Sequence, residues 1–371
     1  MKIIEEVCKV DITYSFPYPK ENILFFDIET TGFAAETSAL YLIGVAYYKE
    51  YTWKILQWFA DDYSSEKQIL VSFFAFLQKF QLLVSFNGNT FDMPFLKKKC
   101  EQHQLTDAMY SFEHVESLDL YKEIFKHRKR LKLENMKQKT LERFININRK
   151  DIYSGKELIK IYQKYVGEHV RNENADTKEM EELLLLHNRD DVAGMLQFSN
   201  LKFLSDLLNG KSNFKSITCL KQGDIIVLDV TLDFYASAHY QWRGANVFLD
   251  ISDNSLRLVV SCLEARLKLF FDNYKEYYYL PKEDRAVHKS IGMFVDKEYR
   301  QRAKKENCYS WEEGLFIPVY SKYTDVVFRE KLDGDEQFIK IDTEFLENKE
   351  KQEQYVNDFL EHCLELCLEK N

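Results

Sequence analysis

The stretch ILFFDIETTGF, Ile23 to Phe33, constrains this chain more than any other. A β-branched and aromatic run reads as a buried strand, and it ends in Asp27 and Glu29 just before a Thr-Thr-Gly turn. Residues two apart on a strand leave the same face, so the two carboxylates project side by side. Burying such a pair is costly unless something cationic meets it. Two hard oxygen ligands so placed suit a divalent cation such as Mg²⁺ or Mn²⁺. The triplet D-x-E alone is a weak signal, since DGDEQ near Asp333 has similar spacing in what reads as a solvated loop. The strand in front of Asp27 makes the difference.

Around that strand the first half alternates strand and helix signals. ALYLIGVAYY and WKILQWFA read as further strands, and SSEKQILVSFFAFLQKF has helical spacing after a Ser cap. QLLVSF is a short buried strand, NGNT is turn chemistry, and FDMPFLKKKCEQH restarts a helix. Three strands, helix, strand, helix imply a mixed α/β layer architecture. A long helix is expected over DTKEMEELLLLHNRDDVAGMLQFSNLKFLSDLLNG, with Asp176 as its cap and Gly210 as its stop.

The polar stretch Asn209 to Ser216 marks a boundary. Residues 1–20 read as a lead-in, 21–210 as the first domain, and 217–371 as a smaller α+β domain of unassigned role. In that second part, GDIIVLDVTLDFYASAHYQW and LRLVVSCLEARLKLFF suit antiparallel strands, while EDRAVHKSIGMFVDKEYRQRAKK and EQYVNDFLEHCLELCLEK suit helices. YYYLPKEDRAVHKS reads either as a strand followed by a helix capped near Glu283 or as a stacking surface for bases.

A net charge of −9 argues against a protein that coats nucleic acid through a broad basic surface. Contact with a polyanion must then be local and metal-assisted. Lys126–Lys132 and Lys97–Lys99 are the concentrated positive patches of the first half, either solvated helix faces or phosphate contacts. No charged and apolar leader opens the sequence, and no run approaches the roughly 20 apolar residues that cross a bilayer, so the expected location is the cytoplasm. Seven scattered cysteines without a C-x-x-C pair read as reduced thiols. Cys363 and Cys367 share a helix face near His362, short of the usual four-ligand zinc pattern.

Two further clusters extend the chemistry of Asp27 and Glu29. In LLVSFNGNTFDMPFL, Asp92 arrives just inside the helix that follows a strand. Strand ends on one sheet edge collect ligands, so Asp92 either joins the first pair or only complements the helix dipole. Asn87 is a site residue or a turn residue. In LLLLHNRDDVAGM, His187 and Asp191 lie four apart on one helix face, supplying another metal anchor and a group suited to proton transfer near neutrality. A lone His after four leucines is also an ordinary core residue, and Asp190 on another face is expected to pair with a Lys or Arg.

D-x-E in FFDIETTG, N-x-x-x-F-D in NGNTFD and H-x-x-x-D in HNRDD stand in the order of the three exonuclease motifs of the DEDD superfamily. SLDLYKEIF, TLERFININRKDIYSGKELIKIY and HNRDDV are more specifically similar to the YprB-like ribonuclease H-like domain family, over roughly residues 20–206. The resemblance implies a ribonuclease H-like mixed β-sheet flanked by helices. It implies two divalent cations, Mg²⁺ or Mn²⁺, held by Asp27, Glu29, Asp92 and Asp191, and 3′-to-5′ hydrolysis of single-stranded RNA or DNA ends. His187 would be the base, Thr30, Thr31 and Asn87 would seat the terminal nucleotide, and Asp119 is either a supporting or a purely structural residue.

One departure stands out: His187 lies at the spacing used by the superfamily's Tyr branch, one residue closer to the Asp than in its His branch. Two other readings follow from that departure and from the acidic charge. One is a degenerate domain that binds nucleic acid or a protein without cutting it, and the other is a phosphodiesterase for short oligonucleotides.

Overall fold

Six strands form the sheet that carries the ILFFDIET run: β1 (Lys2–Cys8), β2 (Ile23–Thr30), β3 (Leu40–Lys49), β4 (Thr52–Phe59), β5 (Leu82–Ser85) and β6 (Glu116–Asp119). This computed structural model describes residues 1–371 apart from 11, 13, 15, 106–109, 132, 148, 150, 152, 173–175, 209–213, 234, 237–238, 321–325, 363–366 and 369–371. It divides into two units, Met1–Ser205 and Asp206–Asn371. The expected helix stop at Gly210 and the Cys363 pairing lie outside the described residues.

In the first unit the strand order is β1-β4-β3-β2-β5-β6. β2 runs antiparallel to β3 and parallel to β5, and β5 is parallel to β6, so β2 and β5 end on the same edge. The mixed sheet flanked by helices is the expected fold. β1 was not expected: residues 1–20 read as a lead-in, yet Lys2–Cys8 pairs with β4 along its whole length. KIIEEVC lacks clean alternation, and as an edge strand it leaves Ile3 and Val7 exposed, so no period-two signal marks it.

Helices follow in the order α1 (Glu66–Leu77), α2 (Asp92–Gln102), α3 (Leu120–Phe125), α4 (Arg128–Leu131), α5 (Gln138–Phe144), α6 (Gly155–Arg171) and α7 (Lys178–Leu208). Ile69, Leu70, Phe73, Phe74 and Leu77 of α1 are buried, a stripe at helical spacing. They share one core with Leu24, Phe26 and Ile28 of β2. Ser65 stands at the N-cap of α1 as expected but makes no side-chain cap bond; Asp62 caps the 3-10 turn before it, its Oδ1 accepting the N–H groups of Ser64 and Ser65 at 2.9 and 3.0 Å. At α6 a capping pair is legible in the sequence, with Ser154 donating N–H to Glu157 Oε2 at 2.8 Å.

The other face of β2 carries Phe25 and Asp27, and α7 meets it through polar groups. Asn188 donates to Asp27 Oδ2 at 3.0 Å, and Gln57 on β4 donates to Asn188 Oδ1 at 2.9 Å and to the Leu185 carbonyl at 3.0 Å. Gly44 stands opposite Asp27 on β3 and makes this approach feasible, since a Cβ there would fall 1.8 Å from Asn188 Oδ1.

Among the described residues the second unit carries three antiparallel sheets, a larger one of six strands and two of three. A correction falls in it. Instead of a helix over EDRAVHKSIGMFVDKEYRQRAKK, Tyr277–Leu280 and Arg285–His288 pair as a hairpin, and Gln301–Arg302 adds to its other edge. Lys289–Gly292 makes a single α-helical turn there and Lys297–Tyr299 a 3-10 turn. Of the tail helix expected over residues 353–370, the described helical part ends at His362, in Lys349–His362, and Cys367–Leu368 instead pair as a short strand with Gln241 and Tyr240. No described helix is long and apolar enough to cross a membrane.

The polar bridge from α7 to β2 makes Gly44 a stringent position. Gly44→Ala is expected to cost about 1–3 kcal/mol by overpacking. Urea unfolding reads this as a lower midpoint at unchanged slope, and an unchanged midpoint would show that Asn188 is not locked against β3.

Candidate functional site

The sheet edge where β2 and β5 end gathers the acids. Pairing of β2 with β3 shifts register between Glu29 and Thr30, an irregularity at the end of the strand. Asp92 opens α2 immediately after the β5 turn, and its Oδ1 accepts the Ile28 N–H at 3.3 Å. This bond fixes the second motif against the first. Glu29 and Asp92 are buried, and Asp27 between them is half-buried. From α7, His187 enters buried and Asp191 half-buried, one helical turn apart.

His187 Nε2 lies 3.3 Å from Asp191 Oδ2 and 3.7 Å from Glu29 Oε1. Glu29, His187 and Asp191 therefore present ligand atoms within 4.8 Å of one another. The charges of Asp27 and Asp92 act on the same space. Burial, then Asp191, Asp92 and Glu29, push the Asp27 carboxyl well above the usual range. Glu29 is pushed up by burial and then by Asp191, Asp92 and Asp151. Burial raises Asp92 to about 7 against the pull of its backbone hydrogen bonds. The acids predicted from separate motifs thus form one electrostatic cluster.

Three residues that sequence reasoning missed surround this cluster. Asp151, from the segment before α6, accepts His187 Nδ1–H through Oδ2 at 2.7 Å and is also paired to Lys139 Nζ at 3.1 Å. Although burial pushes Asp151 up, the His187 hydrogen bond and charge outweigh it and hold the carboxyl below its usual value. Arg149 pairs with Asp191 Oδ1 and with Glu142, whose side chain is 1% exposed. Gly194 on α7 leaves room for Glu142, since a Cβ there would lie 2.4 Å from its Oε1. The available sequence signal was the NRKD run itself, Asn148–Asp151, whose tertiary partners no local spacing reveals.

Thr30 ends β2, Thr31 follows it, and Asn87 lies in the turn after β5. Thr30 donates its hydroxyl to the Gly32 carbonyl at 2.8 Å, and Thr31 Oγ1 accepts the Ala39 N–H at 2.8 Å, so both shape the β2–β3 loop. Asn87 adopts φ of 65°, a left-handed conformation that Asn tolerates, and its N–H is held by Asp119 Oδ1 at 2.8 Å. Asp119 also caps α3 through Lys122 N–H at 3.4 Å. Asp190 Oδ2 accepts the Asp151 N–H at 3.0 Å. On the outer side of the loop Phe33 is 91% exposed, its ring edge-on to Phe91, the residue preceding Asp92.

Chemically, the arrangement is a cluster of oxygen ligands plus one imidazole nitrogen, mutually repelling and partly dehydrated. A divalent cation satisfies that donor set. Residues 24–201 match the RNase_H superfamily. They form a ribonuclease H-like domain. Among solved structures, a family B DNA polymerase from the hyperthermophilic archaeon Pyrobaculum calidifontis is 14% identical, with 58% of this chain and 35% of that one covered and a TM-score of 0.37. A structure of exonuclease I is 11% identical over 62% of this chain and 55% of its own, at a TM-score of 0.31. E. coli exonuclease I in complex with a dT13 oligonucleotide gives the same identity and coverage at 0.28. The chain thus spans about a third of the polymerase and just over half of the exonuclease. No curated protein matches it.

The raised carboxyls set a pH dependence for the metal-free chain. Asp92 near 7 in the folded state lies above the ordinary unfolded value of about 4, so the folded chain binds this proton more tightly. Its stabilising contribution is full below the unfolded value and is lost as pH rises through the folded one. Melting in EDTA is therefore expected to weaken between about pH 4 and 7, and Asp92→Asn is expected to flatten that fall. An identical pH profile in the variant would refute the placement of Asp92 in the buried cluster.

Proposed function

We propose that the ribonuclease H-like domain is a metal-dependent 3′-to-5′ exonuclease of the DEDD kind, acting on single-stranded RNA or DNA. The observation that carries this reading is the convergence of Glu29, His187 and Asp191 ligand atoms within 4.8 Å, in a cluster whose charges also include Asp27 and Asp92. These residues come from three separated motifs in the order of the DEDD exonucleases.

In this reading Asp27, Glu29, Asp92 and Asp191 hold two divalent cations, Mg²⁺ or Mn²⁺. Bound there, the ions would neutralise phosphate charge and generate a nucleophilic hydroxide from water. The chain's own contribution is preorganisation. Ile28 N–H fixes Asp92, Asn188 fixes Asp27, and Arg149 fixes one oxygen of Asp191, so the acids need little rearrangement when loaded. Thr30 and Thr31 hold the loop that, with Asn87, would border the terminal nucleotide. Phe33, exposed beside Phe91, offers a ring face on which a base can stack without regard to sequence.

RNA and DNA single strands labelled at the 5′ end test the proposal in Mn²⁺, Mg²⁺ or EDTA. The expected result is a ladder shortening from the 3′ end, absent in EDTA and reduced about 10³-fold or more in Asp27→Asn, as the loss of roughly 4 kcal/mol of transition-state stabilisation requires. Intact strands with the wild-type chain in every metal would overturn it. Phe33→Ala is expected to raise KM by about 5- to 150-fold, as loss of about 1–3 kcal/mol of stacking requires, while leaving kcat nearly unchanged. An unaltered KM would remove Phe33 from the substrate path.

A further inference from the structure

We infer that His187 is itself a metal ligand through Nε2, with Asp151 as its outer partner, so that one cation of the site has mixed nitrogen and oxygen coordination. The inference rests on the metal-dependent reading above and replaces the base role expected for this residue. The Asp151 carboxylate, buried and 2.7 Å from Nδ1, accepts the hydrogen bond of that N–H and keeps the proton on Nδ1. Nε2 is then left with its lone pair aimed at Asp191 Oδ2 and Glu29 Oε1, at 3.3 and 3.7 Å. Three lone-pair donors facing one another repel unless a proton or a cation lies among them, and a divalent cation serves all three at once.

The separations fit that purpose. Neighbouring ligands bound about 2.1 Å from a six-coordinate ion lie about 3 Å apart. The two gaps at His187 need a contraction of less than about 1 Å, and the Glu29 and Asp191 oxygens lie within 4.8 Å of each other. The two oxygens of Asp191 are divided between tasks, Oδ1 paired with Arg149 and Oδ2 facing His187, which leaves Oδ2 directed into the site. Asp151 in turn is steadied by Lys139 at 3.1 Å, and Arg149 Nη1 lies 3.7 Å from it. A carboxylate behind a ligating imidazole sets ring orientation and raises its basicity. A general base, by contrast, needs an open path from its nitrogen to a water or hydroxyl, and His187 is 7% exposed with its nitrogen among carboxylates.

The spacing of the third motif acquires a physical reason. On a regular helix, His187 and Asp191 at i and i+4 share a face as paired ligands do. An imidazole also changes metal selectivity, because it suits first-row transition ions better than Mg²⁺, which prefers an all-oxygen shell. The site should therefore bind Mn²⁺ in preference to Mg²⁺.

Pulsed EPR on the full chain loaded with Mn²⁺ tests this directly. Electron spin echo modulation from directly bound ¹⁴N is expected in the wild type and lost in His187→Gln, which still binds Mn²⁺ through the acids. Asp151→Asn is expected to keep the modulation while weakening Mn²⁺ affinity about 10- to 100-fold. Circular dichroism of both variants controls for folding. Wild-type Mn²⁺ without nitrogen coupling overturns the inference, as does modulation that survives in folded His187→Gln. Cleavage of 3′ ends without nitrogen coupling would sink the ligand role and keep the exonuclease reading. Nitrogen coupling without cleavage would do the reverse, and failure to bind Mn²⁺ at all would sink both.

Discussion

Mutual repulsion among partly dehydrated carboxylates is the constraint on which the first unit depends. Burial raises the proton affinity of Asp27, Glu29 and Asp92, and the neighbouring carboxylates, Asp191 among them, raise it further. A fold gains nothing in stability from such a cluster. The surrounding network is built to tolerate it: Asn188 donates to Asp27, the Ile28 N–H to Asp92, and Arg149 to Asp191. These are hydrogen bonds to fixed groups, so the acids are aimed even though they repel. The energy stored in that arrangement is released when a divalent cation binds.

The fold serves the same end. Parallel pairing of β2 with β5 brings two strand ends to one edge, which is where loops and a helix start can converge on a ligand. α7 then crosses β2 with a polar face rather than an apolar one at Asn188, against a glycine on β3. Packing there is traded for a precise approach of His187 and Asp191 to Glu29.

Much of this was legible in the sequence because its signals are local. The apolar run before Asp27, the turn before Asp92 and the four-residue spacing of His187 and Asp191 each sit within one element. Asp151 was illegible for the opposite reason, since it meets His187 across 36 residues and stands in no regular element. In the second unit, local composition misled. Charged residues after Glu283 favour a helix, but Asp284, with φ of 49°, turns the chain and accepts hydroxyl hydrogen bonds from Tyr279 and Tyr309 at 2.8 and 2.6 Å. Ala286, Ala303 and Cys308 then pack together, and that tertiary gain overrides helix propensity.

The central claim is that the carboxylates at the end of β2 exist to hold divalent cations. Anomalous diffraction from crystals equilibrated with Mn²⁺ and a 3′-terminal nucleoside monophosphate tests it most directly. The account predicts two strong peaks roughly 4 Å apart among Asp27, Glu29, Asp92 and Asp191. A cluster without anomalous density, with its acids left facing one another, would contradict it.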